Sequence, residues 1–350
     1  MRALLLLVFL AAWPVACARK QSQLGLDAQA DGPLVSIAPD AAPTPNVSVR
    51  DGGFERTTVE PVEARRVRAT DLAGDRALFG DAGALLERHF GGARGSFDVQ
   101  TADLTARGRR VLLVSESGKP TSDARPMALV VDDRGAVVWS TERPVGGIMP
   151  PVGPVAIAPG PLGRVALAAC DPPTSIVALR VWDDDGAPFA DFQAMMAVES
   201  CDALSLLYWP RHGWIVVAAR PGVTRARLIG ESGASAWGDG LDLGVRSKPG
   251  AVAAASLAAD TDDSFVLVQL AQPSAEPGSP FHALAFRYDT RGGPIWKAAV
   301  DLGELPRPPA PGERVKIVPT NPGVRVTLPS GREVDVRPSG DVSTRARAPR

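Results

Sequence analysis

Apolar and polar positions alternate along this chain in short runs that are separated by turn residues. From Ser96 onward the runs have the length and period of half-buried β-strands. Four sets of four runs can be laid out over residues 96–299, and a fifth set of three runs starts at Arg314. The only convincing helical pattern spans Asp75 to Phe90. The pattern therefore predicts an all-β chain with one short N-terminal helix.

One turn recurs in each of the four complete sets, between the third and the fourth run. It ends in Gly, which tolerates a positive φ, and a large apolar residue follows three or four positions later. The four turns are Asp132–Gly135 with Trp139, Asp183–Gly186 with Phe189, Gly230–Gly233 with Trp237, and Asp289–Gly292 with Trp296. Their glycines lie 51, 47 and 59 residues apart, a period that is typical of β-propeller blades.

We therefore expect a β-propeller-like ring of about five four-stranded blades over residues 61–350. The last set lacks one run, and we expect the alternating segment Val62–Ala69 to supply it and close the ring. Each Trp after a turn is large and flat enough to fill the wedge between adjacent blades.

The first eighteen residues indicate export. One Arg precedes an apolar run from Ala3 to Ala12, which predicts a signal peptide over residues 1–18. Pro14-Val15-Ala16-Cys17 is similar to a bacterial lipobox and predicts lipidation of Cys17, with ordinary cleavage after Ala18 as the alternative. Residues 19–60 are rich in Ala, Pro and Asp, which predicts a disordered tether. We expect a membrane-anchored lipoprotein, periplasmic or at the cell surface, or else a secreted protein.

Two cysteines remain beyond the signal segment. Cys170 ends the second run of one set and Cys201 precedes the first run of the next, so a propeller would place both on one face. In an oxidising compartment this arrangement predicts a disulfide bond between them, with buried free thiols as the alternative. The formal net charge of −1 argues against nucleic acid as a partner.

The Gly-x-x-x-Trp spacing of Gly135/Trp139, Gly233/Trp237 and Gly292/Trp296 resembles the repeats of quinoprotein-type β-propellers. The Asp-x-x-Gly-x-x-x-Trp form also resembles the propeller of bacterial arylsulfotransferases. In this chain the Asp stands one place nearer the Gly than in the quinoprotein repeat, and one turn has none. The resemblance covers residues 96 to about 300 and implies a propeller. A sulfotransferase would in addition require a His and an Arg on one face, for which His282 with Arg287 is the candidate pair.

Other chemistry in the sequence is sparse. His89, His212 and His282 fall in different units without metal-ligand spacing, and Asp183–Asp185 with Asp191 only faintly resembles a calcium loop. The sequence predicts no cofactor and no metal site.

Loops between the second and third runs fall on one face and all contain Pro: Gly118–Pro126, Asp171–Ser175, Pro221–Thr224 and Ala271–Pro280. Binding sites are often carried by loops on a rigid scaffold. The polar candidates there are Lys119, Asp123, Arg125, Asp171, Arg220 and Glu276. We expect a non-enzymatic binding or scaffolding module of the bacterial cell envelope, with a protein or another envelope component as partner and membrane contact only through the lipid anchor. The alternative is a propeller enzyme of the arylsulfotransferase or quinoprotein sort.

Overall fold

The structure is a computed structural model. It describes residues 62–68, 79–90, 96–104, 108–116, 126–141, 154–171, 176–198, 203–220, 223–245, 254–260, 263–272, 274, 276, 278–309 and 314–344. The predicted signal peptide, Cys17 and the tether over residues 19–60 lie outside the described residues, so these assignments stay predictions. All described residues belong to one compact unit, residues 55–350.

The described residues form twenty-one strands in five antiparallel sheets, and the strands of each sheet follow chain order. The first sheet holds β1 (Glu63–Arg68), β2 (Ser96–Leu104), β3 (Arg109–Glu116), β4 (Met127–Val131) and β5 (Val137–Ser140). The second holds β6 (Val155–Pro159), β7 (Val165–Asp171), β8 (Ile176–Trp182) and β9 (Pro188–Ala197). The third holds β10 (Ala203–Trp209), β11 (Gly213–Arg220), β12 (Val223–Ile229) and β13 (Leu241–Leu243). The fourth holds β14 (Ala254–Ala259), β15 (Phe265–Ala271), β16 (His282–Tyr288) and β17 (Val300–Glu304), and the fifth holds β18 (Lys316–Thr320), β19 (Gly323–Thr327), β20 (Glu333–Val336) and β21 (Val342–Thr344).

This arrangement confirms the predicted all-β, propeller-like fold of five sheets, which we call blades 1 to 5. The inner strands β2, β6, β10, β14 and β18 contact one another in that order. Four of the five apolar clusters lie between successive blades, and the fifth packs blade 1 against the helix α1 (Ala82–His89). Burial of apolar surface between blades therefore holds the sheets together.

The predicted closing strand is placed differently. β1 does not complete blade 5; it pairs with β2 in blade 1, from Glu63 opposite Thr101 to Arg68 opposite Ser96. Blade 5 has a fourth strand of its own, β21, which follows a turn that ends in Gly340, 48 residues after Gly292. The prediction that Val62–Ala69 supplies the last blade's strand is therefore wrong, because blade 5 already holds four strands.

A salt bridge nevertheless links the first blade to the last. Lys316 Nζ at the start of β18 lies 2.6 Å from Glu63 Oε1 at the start of β1. Both side chains are partly exposed, so the pair contributes little stability. It brings the Lys316 side chain at the start of β18 to the Glu63 side chain at the start of β1.

The recurring turns owe their geometry to the residues that the repeat singles out. Asp132 Oδ1 accepts hydrogen bonds from the backbone N–H groups of Arg134 (2.9 Å) and Ala136 (2.8 Å). Gly135 has a φ of 81°, a value that L side chains rarely adopt. The carboxylate satisfies two backbone donors of the turn, which explains why Asp opens it.

The Trp residues after the turns pack against the next blade, as predicted. A Cβ on Gly186 in the turn of blade 2 would lie 2.7 Å from Cγ of Trp139 in blade 1, so the indole packs directly on that turn. Trp296 Nε1 donates to the carbonyl oxygen of Pro338, in the turn of blade 5, at 2.8 Å. The matching turn of blade 1 contacts the start of the helix instead, because Asp81 N–H donates to Gly135 O at 3.0 Å.

The outer strands of blades 3 and 4 do not start directly after the Gly turn. Residues 234–237 and 294–299 touch the sheet through one bridge each, Ile229 with Ser235 and Tyr288 with Pro294. The strands β13 and β17 start only after the Trp. The Trp leaves the sheet to pack on the next blade, so the strand resumes further along the chain.

Candidate functional site

The first strand of every complete blade starts on the face where the second strand ends. Val155 at the start of β6 pairs with Ala169 near the end of β7, and Ala203 of β10 pairs with Ala219 of β11. We call this face, with its loops between second and third strands, the loop face. The Gly turns between third and fourth strands lie on the opposite face.

The loop face includes those predicted site residues that the structure describes. Asp171 is the last residue of β7 and Arg220 the last residue of β11. Glu276 is exposed between β15 and β16. Lys119, Asp123 and Arg125 lie outside the described residues. The structure thus places Asp171, Arg220 and Glu276 on one face, and a binding role for all six stays a prediction.

Cys170 is fully buried one position before the end of β7. Its N–H donates to Pro154 O, beside the start of β6, at 3.0 Å. Cys201 lies outside the described residues, so the predicted bond between the two cysteines stays a prediction.

Arg314 is the residue on the loop face that sequence reasoning missed. It stands two positions before β18 in blade 5, and its side chain reaches two other blades. Nη2 donates to the carbonyl oxygen of Leu204 in blade 3 at 2.5 Å and to that of Val155 in blade 2 at 3.4 Å. One guanidinium therefore joins blades 2, 3 and 5 where their inner strands begin. No motif or spacing distinguishes Arg314 from the many other Arg residues of the chain.

Neighbouring hydrogen bonds hold this junction rigid. Val315 N–H donates to Ser256 Oγ of blade 4 at 3.2 Å, which fixes the backbone beside Arg314. Gln100 of blade 1 donates from Nε2 to Val155 O at 2.9 Å. The hydroxyl of Ser205 in blade 3 donates to Ala255 O in blade 4. The inner strands of all five blades are thus joined by side chains around one point.

The charge of Arg314 has no carboxylate partner among the described residues. Both of its hydrogen bonds go to neutral carbonyl oxygens. Burial lowers the pKa of the guanidinium to about 10, so Arg314 remains protonated at neutral pH. The site therefore presents a fixed and partly desolvated positive charge.

Nε and Nη1 of Arg314 have no hydrogen-bond partner among the described residues. A guanidinium has five N–H donors, and the two on Nη2 face Leu204 and Val155. Among the described residues, only Trp139 Nε1 and Arg225 Nε are side-chain nitrogens that are both buried and without a hydrogen bond. Nε and Nη1 of Arg314 are therefore not fully enclosed by the described residues.

The histidines lie away from this junction. His89 ends the helix, and His212 in the β10–β11 turn, on the opposite face, has Nε2 3.4 Å from Asp263 Oδ1. His282 begins β16 of blade 4, and its Nδ1 is 2.8 Å from Asp301 Oδ2 on the neighbouring strand β17. His212 contacts Trp209 at the end of β10, which is the opposite end of that strand from Leu204 and the Arg314 junction.

The candidate pair His282 and Arg287 is not brought together. The two residues stand near opposite ends of β16, where they pair with Ala271 and Val266 of β15. Arg287 is buried and forms a salt bridge of 3.0 Å with Asp260. The His–Arg arrangement that a sulfotransferase resemblance would require is therefore absent at this pair.

The aspartates of the faint calcium motif point to different partners. Asp183 Oδ1 is 3.2 Å from Arg164 Nε, and Asp184 Oδ2 is 3.5 Å from Arg109 Nη1. Asp185 Oδ1 accepts from Ala187 N–H at 3.0 Å, as in an ordinary turn. Within the described part of the chain, no group of three or more His, Cys, Asp or Glu residues is placed to hold a metal ion.

A small cleft lies on the opposite face between blades 2 and 3, where Phe189 stands in place of Trp. Tyr208 donates from its hydroxyl to Glu231 Oε1 at 2.5 Å. The guanidinium carbon of Arg164 lies 3.9 Å from the centre of the Phe189 ring. Burial and the Glu231 carboxylate raise the pKa of Tyr208. The cleft is lined by Pro161, Arg164, Val181, Phe189, Tyr208, Trp214 and Glu231.

No family model and no curated protein matches this chain. Among solved structures it is similar to a periplasmic gluconolactonase, PpgL, of Pseudomonas aeruginosa, with 18% identity, 73% of this chain and 78% of that chain covered, and a TM-score of 0.45. A protein of unknown function from Bacteroides caccae matches with 12% identity, coverage of 67% and 76%, and a TM-score of 0.37. BBS1N, solved in complex with ARL6DN, matches with 12% identity, coverage of 72% and 92%, and a TM-score of 0.32. These weak similarities carry no argument about function.

No helix in the described ranges is long and apolar enough to span a membrane.

Proposed function

We propose that this protein is a non-enzymatic binding module of the bacterial cell envelope whose partner docks on the loop face around Arg314. The observation that carries the proposal is the position of that guanidinium, which blade 5 supplies and carbonyl oxygens of blades 2 and 3 hold. A cation fixed in this way loses little conformational entropy when it binds, so the site is preorganised for recognition.

Other residues of the loop face would provide the wider contact surface. Arg220 and Asp171 end second strands on the same face, and Glu276 is exposed there. Binding sites are often carried at the ends of strands on a rigid scaffold, so a partner protein or another envelope component would contact these residues together with Arg314. We infer that the partner contacts Arg220 and Glu276 at the rim and Arg314 at the centre.

The alternative, an enzyme of the arylsulfotransferase or quinoprotein sort, is less well supported by the geometry. It requires a His beside an Arg near the central axis. His282 instead contacts Asp301 on the outer pair of strands in blade 4, and Arg287 is engaged in a buried salt bridge. A binding role needs neither residue.

Export is part of the proposal. Lipidation of Cys17 would anchor the propeller to a membrane, and residues 19–60 would act as the spacer. Cleavage after Ala18 would release the same binding module as a secreted protein. Mass spectrometry of the mature N-terminus distinguishes a lipidated Cys17 from a free Arg19.

The test is cross-linked affinity capture from the native cells with three forms of the tagged protein. The first is wild type, and the second carries Arg220→Ala and Glu276→Ala on the loop face. The third carries Arg134→Ala and Arg291→Ala, two exposed turn residues on the opposite face, as a matched control. We expect the same partner with wild type and control and a strong loss with the loop-face variant. Equal recovery with all three forms would show that the loop face is not the binding surface.

A further inference from the structure

We infer that Arg314 is a carboxylate receptor, so that the partner or ligand presents a single carboxylate group to the centre of the loop face. The inference rests on the proposed function and names the chemical class that the same site recognises. Three features of the junction carry it: the donors without a partner among the described residues, one weak contact that a ligand can replace, and the charge.

A carboxylate binds best to two coplanar N–H donors, and a guanidinium offers such a pair from Nη1 and Nη2. In this protein Nη1 makes no hydrogen bond to a described residue, while Nη2 is shared between a short contact to Leu204 O, 2.5 Å, and a long one to Val155 O, 3.4 Å. The long contact is near the limit of a hydrogen bond. A carboxylate can therefore take one donor from Nη1 and replace Val155 O on Nη2, while Leu204 keeps the guanidinium in place.

The carbonyl oxygen of Val155 is not left without a donor when Arg314 turns to a ligand. Gln100 Nε2 also donates to it, at 2.9 Å. A buried carbonyl that loses its only hydrogen bond destabilises the complex, and that cost is absent here. The exchange of a long hydrogen bond to a neutral carbonyl oxygen for a shorter one to an anionic oxygen is favourable.

The charge at the site matches a monoanion. The neighbouring cation Lys316 is already paired with Glu63 at 2.6 Å. Arg314 therefore contributes one uncompensated positive charge among the described residues of the junction. A single carboxylate neutralises it, whereas a phosphate dianion would leave a net negative charge in a partly desolvated site.

The experiment is a titration of the purified protein with acetate, monitored by the NMR signal of the Arg314 side-chain Nε–Hε group. The signal is assigned by its loss in Arg314→Lys. Acetamide, which has the same shape without the charge, and inorganic phosphate are titrated in parallel. A tri-alanine peptide with a free or an amidated C-terminus then distinguishes a peptide carboxylate from a small free acid.

Wild type is compared with Arg314→Gln, Arg314→Lys and Lys316→Gln. We expect saturable acetate binding, stronger than that of acetamide or phosphate, that weakens by about tenfold or more in both Arg314 variants. Lys316→Gln removes a paired charge two positions away and should change the affinity less than about twofold. Arg314→Lys retains the charge and stays informative if Arg314→Gln does not fold.

Equal response to acetate and acetamide, or unchanged acetate binding in Arg314→Lys, would overturn the carboxylate assignment. Preference for phosphate over acetate would overturn it as well. The capture experiment, repeated with Arg314→Lys as a fourth form, separates the two proposals: partner recovery that depends on Arg220 and Glu276 but not on Arg314 supports binding on the loop face and refutes the carboxylate receptor.

Discussion

The indole Nε1–H of Trp237 in blade 3 donates a hydrogen bond of 3.0 Å to the carbonyl oxygen of Thr290 in the turn of blade 4. Trp296 makes the same contact from blade 4 to Pro338 in blade 5. Trp139 occupies the equivalent place between blades 1 and 2, but its buried Nε1 has no acceptor among the described residues. A Trp therefore packs between neighbouring blades at each of these three places. Its indole N–H forms a hydrogen bond at two of them and none to a described residue at the third.

The first prediction compares Trp237→Phe with Trp139→Phe. The first change removes a buried hydrogen bond as well as apolar surface, and the second removes an indole N–H that has no partner. We expect Trp237→Phe to lower the free energy of unfolding by about 2 kcal/mol, and Trp139→Phe by about 1 kcal/mol less than that. Urea unfolding followed by circular dichroism measures both. A larger loss for Trp139→Phe would show that packing alone, and not the hydrogen bond, governs these junctions.

The second prediction concerns Gly230, which opens the turn without Asp among the four turns of the sequence repeat. Its backbone bonds match those of the Asp turns, since Gly230 N–H donates to Ala234 O at 2.8 Å and Gly233 N–H to Gly230 O at 2.9 Å. A Cβ at Gly230 would meet only Ala234 O, at an ordinary contact distance of 3.5 Å. Gly230→Asp should therefore raise the free energy of unfolding by about 1 kcal/mol.

The matched control for this turn is Gly230→Ala. It restricts the unfolded chain in the same way but adds no carboxylate to accept the N–H groups of Ser232 and Ala234. We expect Gly230→Asp to be more stable than Gly230→Ala. An alanine variant of equal or greater stability would refute the assigned role of the Asp side chain.

The third prediction concerns the pH dependence that Tyr208 contributes. Burial and, secondly, Glu231 raise its pKa above the ordinary value of 10.0. The unfolded chain therefore loses this proton at lower pH than the folded chain, so the contribution is complete below about pH 10 and declines as the pH rises further. We expect the free energy of unfolding of wild type to fall more steeply above pH 10 than that of Tyr208→Phe.

Absorbance of tyrosinate provides an independent readout of the same group, because the chain has only two Tyr. Glu231→Gln removes the carboxylate that accepts the hydrogen bond from Tyr208. This change should lower the pKa of Tyr208 without restoring the ordinary value, because the side chain remains buried. Ionisation of Tyr208 at its ordinary pKa in wild type would contradict the hydrogen bond to Glu231.

The fourth prediction is the disulfide bond between Cys170 and Cys201. Peptide mapping without reduction should yield the two linked peptides, and the bond should stabilise the fold by about 3–4 kcal/mol because it closes a loop of about 30 residues. Cys170→Ala and the double variant Cys170→Ala/Cys201→Ala should then be nearly equal in stability. Alkylation of both thiols before reduction would refute the bond.

The repeat in the sequence was sufficient to predict the class of fold. In the four turns of the repeat, local backbone geometry favours Asp or Gly at the start and Gly at the end, and the wedge between sheets favours a large apolar residue after the turn. These constraints act over a few residues, so the sequence displays them directly. The fifth turn at Arg337–Gly340 was missed because it carries neither an opening Asp nor a following Trp.

Contacts between segments that are distant in sequence could not be predicted in the same way. The alternating pattern of Val62–Ala69 is compatible with any free sheet edge, and its pairing with β2 depends on blade 5 already holding four strands. Likewise, His282 and Arg287 are close in sequence, but β16 separates them along its length.

The sequence by itself determined that this chain forms repeated four-stranded units, because turn and strand preferences are properties of neighbouring residues. Only the tertiary structure decided that Arg314 meets Val155 and Leu204, which are 159 and 110 residues away. The physical reason is that the packing of the five blades brings the starts of their inner strands together. Contacts between these strand starts join residues far apart in the chain, so they produce no periodic pattern in the sequence.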